Sequence, residues 1–130
     1  MRLLSHQRNE GAIRELAREA LDLLTSGRVE ELVGLYGYAT AFERDLASAV
    51  RADLAQALLD ASGSKLLPMT LNDLRLVYYH ESEIGLRAVI DCELRSREGR
   101  SVCISFAVTE TETEQFFTLE DICGELSTDS

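Results

Sequence analysis

Residues 86–108 read LRAVIDCELRSREGRSVCISFAV, and their pattern is the most informative about the fold. Apolar side chains alternate with polar or small ones on both sides of the segment SREGR at 96–100. A period of two is typical of strands that bury one face, and a glycine between two such runs indicates a turn. The stretch therefore predicts an antiparallel hairpin with one face against a core.

The length of the turn sets the register of this hairpin. A two-residue loop would oppose Leu94 and Cys103 and would mix the two faces, whereas register is normally set by keeping one face apolar. We predict a three-residue loop at 97–99, which places Gly99 at a left-handed position. Cys92 then points into the core and Cys103 points away from it, so these two cannot bridge. Three facing pairs follow: Leu94 with Val102, Cys92 with Ile104, and Ile90 with Phe106.

Two further strands complete the predicted sheet. Residues 74–79 alternate in the same way, and a fourth strand is expected around Gln115 to Leu119. The segment 111–114, TETE, reads as the charged turn before that last strand. The strands together cover about 73–122 and form a four-stranded antiparallel meander.

The first half of the chain has the period of helices instead. Residues 10–26 carry apolar side chains at i, i+3 and i+4, with Asn9 placed to cap the start and Gly27 placed to end the helix. A short second helix begins at Val29 and should break near Gly37, and a third runs over about 43–62. We predict one α+β domain over 1–130, with helices at about 10–62 packed on one face of the meander.

Charge is unevenly distributed along the chain, whose net charge is −10 from 13 basic and 23 acidic residues. No Lys or Arg follows Arg100, where seven of the acids lie. An acidic surface repels phosphates, so neither nucleic acid nor an anionic membrane is an expected partner. Acidity also fits a chain that is simply kept soluble. The favoured partner is a protein with a basic surface, contacted by acids of the last third: Glu110, Glu112, Glu114, Glu120 and Asp121.

Cysteine usage and motifs predict no cofactor and no metal. The three cysteines are odd in number and form no CxxC, so neither a disulfide framework nor a zinc site is expected. No glycine-rich phosphate loop, HExxH or GxSxG occurs. The start lacks the apolar stretch of a signal peptide, and no uncharged run could span a bilayer, so we expect a cytoplasmic location.

Two segments resemble a known family. Residues 20–36, ALDLLTSGRVEELVGLY, are similar to the opening of nuclear-transport-factor-2-like (cystatin-like) domains, in which a helix, a turn with glycine and a second helix come before the sheet. Residues 117–122, FTLEDI, resemble the last strand of small bacterial domains of this shape, some of which are immunity proteins found beside toxins. The resemblance implies helices that cover a sheet and a role in binding a toxin.

The same resemblance implies a pocket as the alternative, because enzymes of that superfamily place a carboxylate and often a histidine inside a cone of sheet and helices. The candidates here are Tyr36, Asp53, Tyr78 and His80, with Asp53 and His80 as the acid–base pair. In the competing interpretation Asp53 pairs with a nearby Arg and His80 lies in water, since buried unpaired carboxylates are rare. Cys92 has apolar neighbours and is predicted to be a core residue rather than a nucleophile.

The outward sheet face is a further candidate surface. Val77, Tyr79 and Val89 should be neighbours there with charged residues around them, which is the anatomy of an interface and fits a homodimer. Alternatively, tail residues such as Leu126 cover this patch. We interpret the chain as a non-catalytic, immunity-type inhibitor of a basic toxin enzyme, with a superfamily enzyme or small-ligand binder as the alternative.

Overall fold

The computed structural model describes residues 1–60, 74–78, 85–95 and 101–124. In this part of the chain three α-helices are followed by an antiparallel meander, as predicted for an α+β fold. Two short 3₁₀ helices, Ser5–Gln7 and Ala39–Ala41, connect the elements. The elements are β1 (Arg2–Leu3), α1 (Glu10–Thr25), α2 (Val29–Tyr36), α3 (Leu46–Asp60), β2 (Leu74–Tyr78), β3 (Leu86–Arg95), β4 (Ser101–Thr111) and β5 (Glu114–Gly124).

The hairpin of β3 and β4 has the predicted register. Cys92 is 1% exposed in the core, and Cys103 is half-buried on the opposite face. The predicted loop at 97–99 lies outside the described residues, but the strand pairing on both sides of it is the one that this loop requires. All three predicted pairs are present: Leu94 with Val102, Cys92 with Ile104, and Ile90 with Phe106.

The sheet has five strands in the described part of the chain, in the order β1-β5-β4-β3-β2, so the prediction of four was one short. Arg2 and Leu3 pair with Phe116 and Gln115 on the outer side of β5. The Met1 amino group donates to the Phe117 carbonyl at 2.9 Å, and the Phe117 amide donates back to the Met1 carbonyl at 2.7 Å. Two residues are too few to show the alternation of a strand. Strand β1 is specified instead by the edge of β5 that would otherwise be unpaired.

The helices follow their predicted signals at four of five described ends. Asn9 caps α1, where its side-chain oxygen accepts from the Ala12 amide at 2.9 Å, and Gly27 follows the helix with a φ of 79°. Helix α2 ends before Gly37, as expected. Helix α3 begins at Leu46 and not at 43, because Asp45 accepts from the Ser48 amide at 3.0 Å and so caps the helix. Its predicted end at 62 lies outside the described residues.

The core lies between the helices and the face of the sheet that carries Phe106 and Phe117. These two rings stack with centroids 5.1 Å apart, and Tyr36 meets Phe117 edge-on at 5.5 Å. Helix α3 reaches the end of β5 at Gly124, where an added Cβ would stand 2.2 Å from the Ala57 carbonyl oxygen. The absence of a side chain at 124 therefore sets how closely α3 packs on β5. No helix within the described ranges is long and apolar enough to cross a membrane.

Candidate functional site

The five acids predicted to contact a partner lie at the two ends of β5. Glu110, Glu112 and Glu114 surround the β4–β5 turn, whereas Glu120 and Asp121 lie near the other end of the strand. A strand rises about 3.3 Å per residue, so Glu114 and Glu120 are roughly 20 Å apart. The acids thus form two groups, which we name the turn group and the bulge group.

The turn group is largely neutralised by arginines that are distant in sequence. Arg2 forms an ion pair with Glu114 at 3.1 Å, and Arg87 forms one with Glu110 at 3.5 Å. A hydrogen bond from Gln115, followed by one from Arg87, holds the pKa of Glu110 below its ordinary value. Arg8 donates to the Thr113 carbonyl at 3.1 Å. The sequence after Arg100 contains no basic residue, but the surface at the β4–β5 turn carries arginines from elsewhere in the chain as well as these acids.

The bulge group has a different environment. The β4–β5 register shifts between Ser105 and Phe106, which leaves Glu120 as the extra residue of a β-bulge. Burial, and then the charge of Asp121, raises the pKa of Glu120 above its ordinary value. Within the described residues, no ion pair includes Glu120 or Asp121. Among the described side chains, the acids at this end of β5 are thus not neutralised by an ion pair.

A groove of about 290 Å³ adjoins the bulge group, and we name it the β5 groove. Its walls come from α3, from the end of β5 and from the loop that precedes α3. Acids on both long walls make it negative, with Arg44 as a cation on its lining. Lining residues include Phe42, Asp53, Asp60, Asp121, Ile122 and Cys123.

Asp53 is the most constrained acid of the groove. Two nitrogens of Arg44 donate to its two oxygens, each at 2.9 Å, and the Tyr38 hydroxyl donates to Oδ2 at 2.6 Å. These hydrogen bonds, that of Arg44 first, lower the pKa of Asp53, while burial and Asp53 raise the pKa of Tyr38. Arg44 also donates to the carbonyls of Thr40 and Ala41. An ionised carboxylate held in this way fastens the loop to α3 and is a poor general base at neutral pH.

The structure brings Tyr38, rather than the predicted Tyr36, to Asp53. Tyr36 is buried against Phe117, and burial raises its pKa to about 12. Only the backbone of Tyr78 is described, and His80 lies outside the described residues, so the predicted pairing of Asp53 with His80 stays a prediction. Cys92 is a core residue, as predicted, and burial raises its pKa to about 12.

Phe42 is the residue that sequence reasoning missed. Its side chain is 77% exposed at the rim of the β5 groove, and its backbone is left-handed with a φ of 49°. Glu43 follows with a φ of 70°, and two adjacent non-glycine residues in this region are uncommon. The predicted third helix begins at about residue 43, directly after Phe42, and nothing in this sequence indicates that the aromatic ring points to solvent.

The outward sheet face has an apolar row, as expected from the register. Val77 pairs with Val89, Val89 with Ala107, and Ala107 with Thr118. Val77 is 37% exposed, Val89 is half-buried and Ala107 is buried. Tyr79 and the tail residue Leu126 lie outside the described residues.

Comparison with known proteins gives no relative for this chain. No protein-family model, no curated protein and no solved structure is similar enough to match it. In the described part of the chain, no group of three or more His, Cys, Asp or Glu side chains is placed to hold a metal ion.

Proposed function

We propose that this chain is a non-catalytic protein-binding domain for a partner with a basic surface, acting in the cytoplasm as an immunity-type inhibitor of a toxin enzyme. The observation that carries the proposal is the exposed ring of Phe42 at the rim of the β5 groove. Asp121 also lines this groove, and among the described residues it has no ion-pair partner. The similarity of residues 117–122 to the last strand of small bacterial domains, some of which are immunity proteins, motivates the choice of partner.

An exposed aromatic ring at the rim of a groove lined by acids fits an interface better than a surface without a partner. Aromatic residues are enriched among the residues that dominate binding energy, and flanking charges set orientation and association rate. The left-handed backbone at Phe42 costs folding energy, of order 1–3 kcal/mol for a residue in a disfavoured region. In the described contacts the ring gives little packing in return, which supports a role outside the domain.

The raised pKa of Glu120 supports a cationic partner in particular. Burial and Asp121 disfavour the ionised carboxylate. A Lys or Arg from a partner would favour that ionised form, as an opposite charge within a few ångströms does. Binding would therefore relieve a cost that the free domain carries. The turn group contributes more weakly in this proposal, because Arg2 and Arg87 already pair with Glu114 and Glu110.

The test uses the protein that is encoded by the gene next to that of this chain. Both proteins are purified, and their binding is measured by calorimetric titration at low and at physiological salt. Phe42→Ala is expected to weaken binding at least tenfold with little change in salt dependence, whereas Glu120→Gln with Asp121→Asn should weaken it and flatten the salt dependence. The matched control neutralises the turn group with Glu110→Gln, Glu112→Gln and Glu114→Gln. The proposal is wrong if the neighbouring protein does not bind, or if the control weakens binding as much as the bulge-group variant.

The alternative of an enzyme or small-ligand binder has less support in the described residues. Both oxygens of Asp53 accept hydrogen bonds from Arg44, and Tyr38 occupies Oδ2 as well. Three of the roughly four lone-pair positions of this carboxylate are thereby occupied, and its lowered pKa makes it a weak proton acceptor at neutral pH. Catalysis at this site would require Arg44 and Tyr38 to release Asp53 first.

A further inference from the structure

Cys103 and Cys123 face each other across β4 and β5. They are direct partners in the register of the two strands, on the sheet face that points away from the helices. Their side chains are also hydrogen-bonded to each other. The sequence did not indicate this pair, because the fourth strand was predicted to end near Leu119 and actually continues to Gly124.

The register alone brings the two residues within bridging distance. Directly opposed residues of antiparallel strands have Cα atoms about 4.5 or 5.5 Å apart, depending on whether the pair is hydrogen-bonded. Disulfides span Cα separations of about 4.4–6.8 Å, so either kind of pair is compatible with a bridge. Cys92 lies on the opposite face and is 1% exposed, so it is not a competitor.

We propose that Cys103 and Cys123 form a modification site: a reversible cross-strand disulfide made by thiol–disulfide exchange with a small disulfide such as oxidised glutathione. The inference rests on strand register and thiol contact, and it does not depend on the proposed function. In a reducing compartment the bridge would be transient and would report oxidation, which is how most disulfides of such compartments are used.

The different exposure of the two cysteines indicates which of them reacts first. Cys123 is exposed and Cys103 is half-buried, so the Cys123 thiolate attacks one sulfur of oxidised glutathione and the other leaves as a glutathione thiolate. The Cys103 thiolate then attacks the Cys123 sulfur of this mixed disulfide and releases the second glutathione thiolate. The two thiol protons end on the two glutathiones, so two protein thiols are oxidised and one small disulfide is reduced.

The surroundings of Cys123 make the first exchange step slow. They also place the bridge next to the β5 groove. Burial, and then the charges of Asp121 and Asp91, raise the pKa of the Cys123 thiol, so the attacking thiolate is scarce at neutral pH. Cys123 also lines the β5 groove. The bridge would therefore reinforce the existing pairing between β4 and the end of β5 that forms one wall of the groove.

The test incubates the reduced full chain with oxidised glutathione near the ordinary pKa of a cysteine thiol, about 8.5. The expected product is a monomer that has lost two hydrogen atoms in intact mass and that yields a peptide linked through Cys103 and Cys123. Cys103→Ser should stop at one glutathione on Cys123, and Cys123→Ser should form no internal bridge. A stable glutathione adduct on the unmodified chain, a linked dimer, a bridge to Cys92 or no reaction would overturn the proposal.

Thermal unfolding of the bridged product gives a second and independent measurement. A bridge that fits the native register constrains the unfolded chain over the enclosed segment 104–122 and should raise the Tm by roughly 5–10 °C, reversed by a reductant. Reduced Cys103→Ser and Cys123→Ser chains should unfold close to the reduced parent. A Tm that fails to rise on oxidation would show that the native strands do not accommodate the bridge.

Discussion

At the scale of single residues, Asp53 shows how a candidate catalytic group becomes a structural one. The sequence placed Asp53 on α3 with two interpretations, a base beside His80 or an acid paired with an arginine. The ion pair with Arg44 at 2.9 Å is present, and the Tyr38 hydroxyl adds a third hydrogen bond. The partner could not be selected from the sequence, because Arg44 and Tyr38 reach Asp53 only through the irregular loop before α3.

Asp53→Asn should lower the free energy of unfolding at neutral pH by roughly 1–2 kcal/mol, since charge-assisted hydrogen bonds to Arg44 are lost. The pKa of Asp53 is lowered in the folded state. The stabilisation by its charge is therefore fully present above the pKa of an unfolded Asp, about 3.9, and is lost as the pH falls through the pKa of the folded state. The free energies of unfolding of the parent and of Asp53→Asn, measured in urea from neutral to acidic pH, should therefore converge as the pH falls.

The matched control for Asp53 is Asp22→Asn, which breaks an exposed ion pair with Arg18 on α1. Exposed pairs of this kind contribute about 0.5 kcal/mol or less, so the control should barely change stability. An Asp53→Asn variant as stable as the Asp22→Asn variant would contradict the role assigned to Asp53.

At the scale of elements, strand alternation was more informative than helix or edge signals. The register of β3 and β4 follows from keeping Leu94, Cys92 and Ile90 on one face, because a slip of one residue would expose all three. The start of α3 was misplaced, since Glu43 and Asp45 are both acceptable in a first turn and only the backbone geometry selects Asp45 as the cap. Strand β1 could not be found, because Arg2–Leu3 is specified by the edge of β5 and not by its own sequence.

The contact between α3 and β5 gives a prediction at the element scale. Gly124→Ala should lower the free energy of unfolding by roughly 2 kcal/mol or more, because its Cβ would meet the Ala57 carbonyl oxygen at 2.2 Å and backbone cannot easily move aside. Gly34→Ala is the control, since its Cβ in α2 meets nothing within 4 Å and a helical alanine should stabilise by up to about 1 kcal/mol. Denaturant midpoints of the two variants should shift in opposite directions, and a Gly124→Ala chain of unchanged stability would mean that α3 packs elsewhere.

At the scale of the whole molecule, the linear charge pattern and the spatial one differ. The last thirty residues contain no Lys or Arg, yet Arg2, Arg8 and Arg87 lie at the β4–β5 turn through β1, the N-terminal segment and β3. Among the described residues, the acids at the other end of β5 have no ion-pair partner. The sequence shows that the C-terminal third is acidic, but only the topology of the sheet shows which of these acids lie next to arginines.

Glu110 and Glu120 should consequently respond to neutralisation in opposite ways. The pKa of Glu120 is raised in the folded state, so its charge destabilises the fold at neutral pH, and this penalty disappears as pH falls through the raised value toward the unfolded one. The pKa of Glu110 is lowered, so its charge stabilises the fold at neutral pH, and that contribution is lost as pH falls through the lowered value. Thermal melts at neutral pH should show Glu120→Gln more stable than the parent and Glu110→Gln less stable, with both differences shrinking in acid. Stability changes of the same sign in both variants would mean that net charge, and not position on β5, governs the stability of this domain. The cost of keeping Glu120 ionised would then no longer support a cationic partner at this residue.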